Sequence, residues 1–553
     1  MLFPADLAGY PPPSLAQGHL RRQAKLAESD RFLDELDQSW AADQSIYRLR
    51  LQKDDAGLGG THMAAPQSGT RCQQTRCQQI SHQQPLQRRS FLHCLTLGSG
   101  AWSLSQTRPL AGYETAGAQH DIVREPRPGL QTVAIQISVN GHLRAGLSET
   151  QQELPLHVDG RLEYVEQLRP ASTNRMIAIR HYARAAAEIE IAQQRTQSQL
   201  ATDHRHIICG SGEHGDELFA TQGPLTRDEL DLIDVPGNSA QWWRLLPTQP
   251  VKLGDAWFLS RAAVKALLRL EAISKWAVRC KLQAVAGQML TIAIAGTVEG
   301  AAGGAASQLR VDGTCQVDLT RKRIAELKLT IWEERQMGHA QPGFKIEAQI
   351  HAVAKPLAES APAAEAVTKT PASNLNTLPD DLLLLSFRAS QGGFQLLHDR
   401  RWRVLTDNPA VSILRCVQRG QLVAQANVSR LADRGDKPVW SPAQLEKKVR
   451  TSLGDKFTRI VDSVQRQDAR GYRILRIRAA GAAEDVKLIW TYWYLANREG
   501  GQVSLVITHE QKHAAMLAET DQALADSVRI SARAAAAPAR QAAVRAIRPT
   551  VVK

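Results

Sequence analysis

The sequence predicts an α+β fold in two β-rich units, and three observations predict it. Apolar and polar residues alternate over many stretches, the period of half-buried strands. Most of the links between these stretches, such as Gly287-Gln288 and Leu319–Lys322, are too short for a parallel crossover, so the strands pair antiparallel. Helix-start signatures recur between the strand runs, and an Ala/Pro/Ser/Thr-rich stretch at 354–380 parts residues 119–353 from 381–530. The first unit reads as a meander with two helices. The second reads as an α/β/α sandwich of antiparallel strands.

Ahead of both units lies Gln87–Leu104, QRRSFLHCLTLGSGAWSL. Arg88 and Arg89, then Phe91 and Leu92, open a short apolar run diluted by Gly98, Ser99 and Gly100. This looks like a bacterial twin-arginine export signal. A bilayer-spanning helix needs about 20 apolar residues, and this run is too short and too polar. No Asp or Glu occurs between Asp55 and Glu114, the composition of an acid-poor leader. Ala116-Gly117-Ala118 offers a small-residue cleavage site, so cleavage after Ala118 makes Gln119 the first mature residue; Ala111 is a competing site. On this reading 63–118 is the signal region and 1–62 a disordered or non-native upstream extension. An organelle transit peptide and a plain linker are the alternatives, and the pattern leaves twin-arginine and general secretory export both open.

In the first unit Gln131–Val139 alternates apolar and polar, and Asn140-Gly141 reads as a turn. Strands are expected at Arg161–Leu168, Met176–Tyr182, Ala183–Ile191, His204–Cys209 and Glu217–Ala220. Thr226 caps a helix over Arg227–Ile233, with Glu229 completing a capping box. Ser260 caps a second helix, Arg261–Ser274. The meander is Lys275–Ala286, Met289–Glu299, Ser307–Asp318 and Arg323–Glu334, followed by a last strand, Lys345–Val353. The run DLIDVPGNS, then PVKLGDAWFLS, then a helix and meander ending in WEERQMGHAQPG, resembles a group of uncharacterised exported bacterial proteins of the planctomycete type. That resemblance implies export and a β-rich fold and no activity.

In the second unit Leu382–Ala389 is a strand, and FQLLHDRRWRVL gives two short strands around Asp399-Arg400. Ser412–Arg419 and Gln421–Arg430 form a hairpin through Gly420. Ser441 and Pro442 start a helix at N-cap and first position. Four strands follow, Thr458–Asp468, Gly471–Ala480, Val486–Asn497 and Gln502–Glu510, then a closing helix, Lys512–Ser527. This order, with HDRRWRVL, YRILRIRA, LIWTYWYLA and VSLVITHE, resembles the PsbP/DcrB-like fold. That resemblance implies binding of proteins or envelope components more than catalysis, and it carries no functional residue across.

The chemistry-bearing motifs are few. No dinucleotide fingerprint, P-loop, nucleophile elbow or paired-histidine zinc motif occurs, and no catalytic residue or cofactor is assigned. The metal candidates are His204, His206 and His214, beside Cys209; a solvated hairpin loop accounts for the same residues. Cys280 and Cys315 lie on expected strands and are either a disulfide or two buried thiols. The net charge of +13 raises nucleic acid and membranes as partners, but Arg533, Arg540, Arg545, Arg548 and Lys553 concentrate charge in an acid-free tail, 531–553. No nucleic-acid partner is expected; the basic tail would meet an anionic surface peripherally. The function expected is that of an exported, periplasmic or cell-envelope, non-enzymatic protein binding an envelope partner or an apolar ligand. The alternatives are a metal-dependent hydrolase using the 204–214 histidines and a surface scaffold.

Overall fold

The computed structural model describes residues 117–145, 152–172, 175–212, 215–369, 380–390, 393–435, 438–517 and 519–531. Arg88, Arg89, Phe91, Leu92, His214 and the tail from 532 onward lie outside the described residues. Of the described residues, 58% are in strands and 17% in helices.

In chain order the strands of the N-terminal unit are β1 (Gln119–His120), β2 (Gly129–Ala145), β3 (Gln152–Ser172), β4 (Arg175–Ile191), β5 (Gln194–Gln199), β6 (His206–Gly212), β7 (Gly215–Ala220), β8 (Val251–Lys252), β9 (Ala256–Phe258), β10 (Ala272–Ala286), β11 (Met289–Ala302), β12 (Ala305–Asp318), β13 (Arg323–Arg335) and β14 (Gly343–Pro356). All but β1 and β8 form one sheet in the order β7-β6-β4-β3-β2-β14-β13-β12-β11-β10-β9, with β5 added to β4. Every pairing is antiparallel. Burial alternates along the long strands. Val133, Ile135, Ile137 and Val139 of β2 and Leu327, Leu329 and Ile331 of β13 point inward, with Lys328, Gln136 and their neighbours outward.

The inward side chains form one apolar cluster. Three short segments close it: helix α1 (Arg227–Ile233), the 3-10 turn Ser239–Leu245 and helix α2 (Arg261–Leu268). Leu230, Ile233, Trp242, Leu245, Val264 and Leu267 are all buried in that cluster. The expected caps form. Thr226 and Glu229 make a reciprocal capping box, and the Ser260 hydroxyl accepts from the Ala263 amide at 3.2 Å. The Trp242 indole donates to the Gly237 carbonyl at 2.8 Å. Gly237 has φ +76°, a backbone conformation that strains other residues, so glycine suits this turn.

A polar network crosses the core where the 3-10 turn meets the sheet. The Arg180 guanidinium donates from Nε to Glu166 Oε1 at 2.8 Å, with the two side chains 3% and 0% exposed. Glu166 also accepts from Gln131 at 2.8 Å and from the Ser239 hydroxyl at 2.8 Å. Arg180 reaches Asn238 as well, and its guanidinium lies 4.8 Å from the Tyr164 ring centroid. Both buried charges are therefore satisfied by neighbours from β2, β3, β4 and the turn.

The C-terminal unit continues with β15 (Leu385–Arg388), β16 (Phe394–His398), β17 (Trp402–Asp407), β18 (Ser412–Gln418), β19 (Gln421–Leu431), β20 (Phe457–Gln467), β21 (Arg473–Ala483), β22 (Val486–Ala496), β23 (Gln502–Glu510) and β24 (Arg529–Ile530). A seven-stranded antiparallel sheet runs β17-β18-β19-β23-β22-β21-β20, and β15-β16-β24 form a smaller one. Helices α3 (Glu365–Thr368), α4 (Pro442–Leu453), α5 (Ala514–Leu517) and α6 (Thr520–Ser527) are short.

The fold is thus predominantly antiparallel β, which corrects the expected α+β class and its PsbP/DcrB-like α/β/α sandwich. The excess of strand has local causes. The helix expected over Arg261–Ser274 stops at Leu268, because Arg269 takes φ +55° and β10 begins at Ala272. The closing helix breaks into a 3-10 turn, α5 and α6. Asn140-Gly141 is not a turn. β2 runs through it, and Gly141 is needed because a side chain there would strike the Lys345 carbonyl on β14. In the stretch expected as a linker, β14 reaches Pro356 and Val367 is fully buried beside Ile177 and Ile179.

Cys280 and Cys315 are free and buried on β10 and β12, with β11 between those strands. Burial pushes the Cys280 thiol up to about 12. Trp490, Tyr492, Trp493 and Tyr494 of β22 are all buried, and Tyr494 stacks on Trp440 with centroids 5.7 Å apart.

Two buried histidines give the molecule an acid sensitivity. Burial pushes His398 and His509 down to about 4, aided by Arg227 at the first and by Arg478 and His513 at the second; Asp399 and Asp521 act in the opposite sense. The unfolded imidazole titrates near 6.5, so between about 6.5 and 4 the unfolded chain binds more protons. Stability is full above that window and falls as pH drops through it, by roughly 1.4 kcal/mol per unit per histidine. Thermal unfolding from pH 8 to 4 should show this slope, and His398→Gln should remove about half of it. An unchanged slope in that variant would exclude His398 as a source.

Candidate binding groove

The exposed face of the large sheet carries a cavity of about 980 Å³. It follows one row of paired residues across the strands: Ala187, Gly160, Ile137, Ile350 and Leu329 are successive partners on β4, β3, β2, β14 and β13, and Gly313 of β12 is next. Ala187, Ile137, Ile350 and Leu329 turn their side chains inward and Gly160 and Gly313 have none, so the groove floor is backbone. Its walls are the outward side chains one position to either side. Asp159, Ser138, Gln349 and Thr330 line one wall, and Arg161, Gln136, His351 and Lys328 the other. Strand pleating produces this arrangement, since neighbours on a strand point to opposite faces.

The walls are polar and their charges are partly engaged. Arg161 donates to Glu163 at 2.6 Å, and His157 bridges Asn140 and Asp159 at 2.8 and 2.9 Å. Lys328 and His351 both reach Glu326, at 2.9 and 2.6 Å. Burial alone would raise the Glu326 carboxyl, but hydrogen bonds from Lys328 and His351 hold it below the usual range. Arg161, Arg184, Arg205 and Lys328 face the cavity against two carboxylates, Asp159 and Glu188. Glu163 and Glu326, the partners of Arg161 and Lys328, stand just outside the lining, so the groove gathers four cations of which two are already paired with carboxylates.

The structure does not gather the sequence's metal candidates. His204 is in a 3-10 turn, Thr202–His204, and does not share a strand face with His206, which starts β6. His204 Nδ1 lies 2.8 Å from Glu229 Oε1, tied to the capping box of α1. His206 lies 3.1 Å from the Thr221 hydroxyl and pairs across β4 with His181, ring centroids 6.4 Å apart. Cys209 is buried and accepts from Asn238 at 3.4 Å. No group of three or more His, Cys, Asp or Glu suited to a metal occurs among the described residues. Ala118, the expected cleavage residue, is exposed and directly precedes β1, whose Gln119 pairs with Lys252.

No family model matches the chain, and no curated protein does. Among solved structures, a similar chain is PA94 of Pseudomonas aeruginosa, a protein of unknown function described as a putative regulator. It is 12% identical over 24% of this chain and 88% of its own, at a TM-score of 0.18. A loop-deletion variant of OmpT, an outer membrane protein of Vibrio cholerae, is 7% identical over 69% of this chain and 99% of its own, at 0.11. The translocator domain of the autotransporter NalP from Neisseria meningitidis is 8% identical over 69% and 88%, at 0.10.

Likenesses this low carry no argument, so the sheet itself decides. Membrane barrels turn an apolar band outward and close on themselves. Here the long strands turn an apolar row into the core, the outward positions along the groove are mostly polar, and the strand order runs from β7 to β9 without closing. Among the described residues no helix is long and apolar enough to cross a membrane.

The groove residues were not legible as a site. In sequence each is an ordinary polar position of an alternating strand. Only the register of six strands sets them side by side.

Proposed function

We propose that this is an exported, non-catalytic protein of the cell envelope that binds a hydrophilic, anionic envelope component in the groove of its large sheet. The observation that carries the reading is the groove: about 980 Å³, polar-walled, and lined by Arg161, Arg184, Arg205 and Lys328. The acid-free twin-arginine-like stretch before Ala118 supports export, and the start of β1 at Gln119 leaves the sheet intact after cleavage there. An apolar ligand finds less support, because the protein's own α1, α2 and Trp242 fill the apolar face. The hydrolase reading loses its proposed geometry where His204 and His206 turn to different partners. The basic tail adds a second, peripheral contact with the same anionic surface.

Co-sedimentation with isolated envelopes tests the reading. Neutralising Arg161→Gln and Lys328→Gln together should weaken retention by about tenfold, with stability within about 0.5 kcal/mol of the parent. Removing 532–553 should cost less and should flatten the salt dependence. Equal retention by the parent and the groove double variant would overturn the groove as the binding surface.

A further inference from the structure

A second cavity, of about 280 Å³, lies where the two units meet. The seam around it is built by arginines. Arg227 of α1 donates to the Arg400 carbonyl at 2.9 Å, and Arg400 donates to the carbonyls of Leu218 at 2.5 Å and Leu383 at 3.0 Å. Arg415 donates to the His339 carbonyl at 2.6 Å, and the Ser386 amide to the Leu225 carbonyl at 2.8 Å. Neutral carbonyls orient Arg400 and Arg415 without cancelling their charge.

The cavity wall has the same bias. Arg227, Arg244, Lys265, Arg269 and Arg335 reach it from the N-terminal unit, and Arg403 of β17 from the C-terminal one. Three acids face them. Asp231 is matched to Arg227 at 3.4 Å, Asp234 to Arg269, and Glu271 accepts from the Gly304 amide at 3.1 Å. Six cations line it against three carboxylates, and Glu333 pairs with Arg335 from just outside the lining, which leaves an excess of two positive charges. Arg403 Nη1 and Arg227 Nε are buried without a hydrogen-bond partner. A buried, unsatisfied donor on a charged group is costly, and that cost is relieved if the guanidinium turns toward an anion in the cavity. The crowding is felt nearby: burial, then Arg227 and also Arg269, push Arg400 down to about 10, against Glu217 and Asp234.

We infer that the seam cavity is a binding site for a phosphate-type oxyanion carried on a small polar body, held by Arg403, Arg227 and Lys265. A tetrahedral oxyanion suits forked guanidinium donors arriving from several directions. The volume exceeds what a bare oxyanion needs, which is why a small polar body is included. Because Arg403 belongs to one unit and the other cations to its neighbour, the bound anion would tie the two together. This site is separate from the groove and goes beyond the reading given for it.

Calorimetric titration of the full chain tests the site, with inorganic phosphate and glycerol 1-phosphate as probes. One saturable site per chain is expected, tighter for glycerol 1-phosphate. Arg403→Gln and Lys265→Gln should each weaken it by about tenfold, while Arg403→Lys keeps part of the affinity. The groove variant Arg161→Gln should bind like the parent, so loss of groove function and loss of this site are told apart. Phosphatidylcholine vesicles with and without phosphatidic acid form the second arm. Arg403-dependent binding to the phosphatidic acid vesicles alone would support the oxyanion site and assign it to a lipid headgroup. No saturable binding in either arm, or equal affinity in parent and Arg403→Gln, would overturn the site. Equal weakening by Arg161→Gln would reduce it to diffuse charge and overturn it as well.

Discussion

Arg180→Met should cost about 3–5 kcal/mol of stability, because it strands the Glu166 carboxylate in the core. Glu166 is fully buried and Arg180 nearly so. Methionine keeps the bulk of the side chain but removes the one cation that faces this carboxylate at hydrogen-bond distance. Gln131 and Ser239 would still donate to it, so the loss belongs to the missing charge rather than to empty acceptors. Asn238 would lose its guanidinium partner too, loosening the turn that seats Trp242. In a unit of this size the unfolding midpoint should fall by on the order of 10 °C. The double variant Arg180→Met, Glu166→Met should recover much of the loss, since an apolar pair of similar volume replaces two buried charges. A loss below about 1 kcal/mol in the single variant would mean that water reaches Glu166, and the buried network would not be what anchors the turn.

Trp242→Ala should be of similar size, about 3–5 kcal/mol, through a different cause. Trp242 is 4% exposed and is the more deeply buried of the two tryptophans that the closing turn contributes to the apolar cluster. Its indole also satisfies the Gly237 carbonyl, which the substitution leaves without that donor. The surrounding strands are hydrogen-bonded on both sides and cannot collapse far into the space, so most of the cavity persists. Such an apolar cavity stays dry and accepts an apolar guest. Xenon or benzene should therefore stabilise the variant and leave the parent unaffected. If the parent takes these guests equally well, the apolar face has room that its own helices do not fill, and an apolar ligand returns as a reading.

How much of this was written in the sequence differs by element. The meander was legible almost residue by residue: β11, β12 and β23 start within two residues of the expected positions, because two-residue alternation between Gly-containing links is a local signal. The caps at Thr226, Ser260 and Ser441 were legible for the same reason. The fold class was not. Class depends on how long each strand continues and on which helices survive. Those are set by close backbone approach at Gly141 and by the left-handed residue at Arg269, neither of which has a composition cue. The groove and the seam cavity were less legible still. Arg161, Lys328 and Arg403 are spread along the chain and meet only through sheet register and the contact between units. The candidate histidines show the opposite case: His204 and His206 are close in sequence, but one ends a 3-10 turn and the other starts β6.

The measurement that tests the account most directly is N-terminal sequencing of the protein recovered from fractionated native cells. The account predicts an envelope or periplasmic fraction and a first residue at or near Gln119. Intact Met1 in the cytosol would contradict export, and with it the envelope partner proposed for the groove.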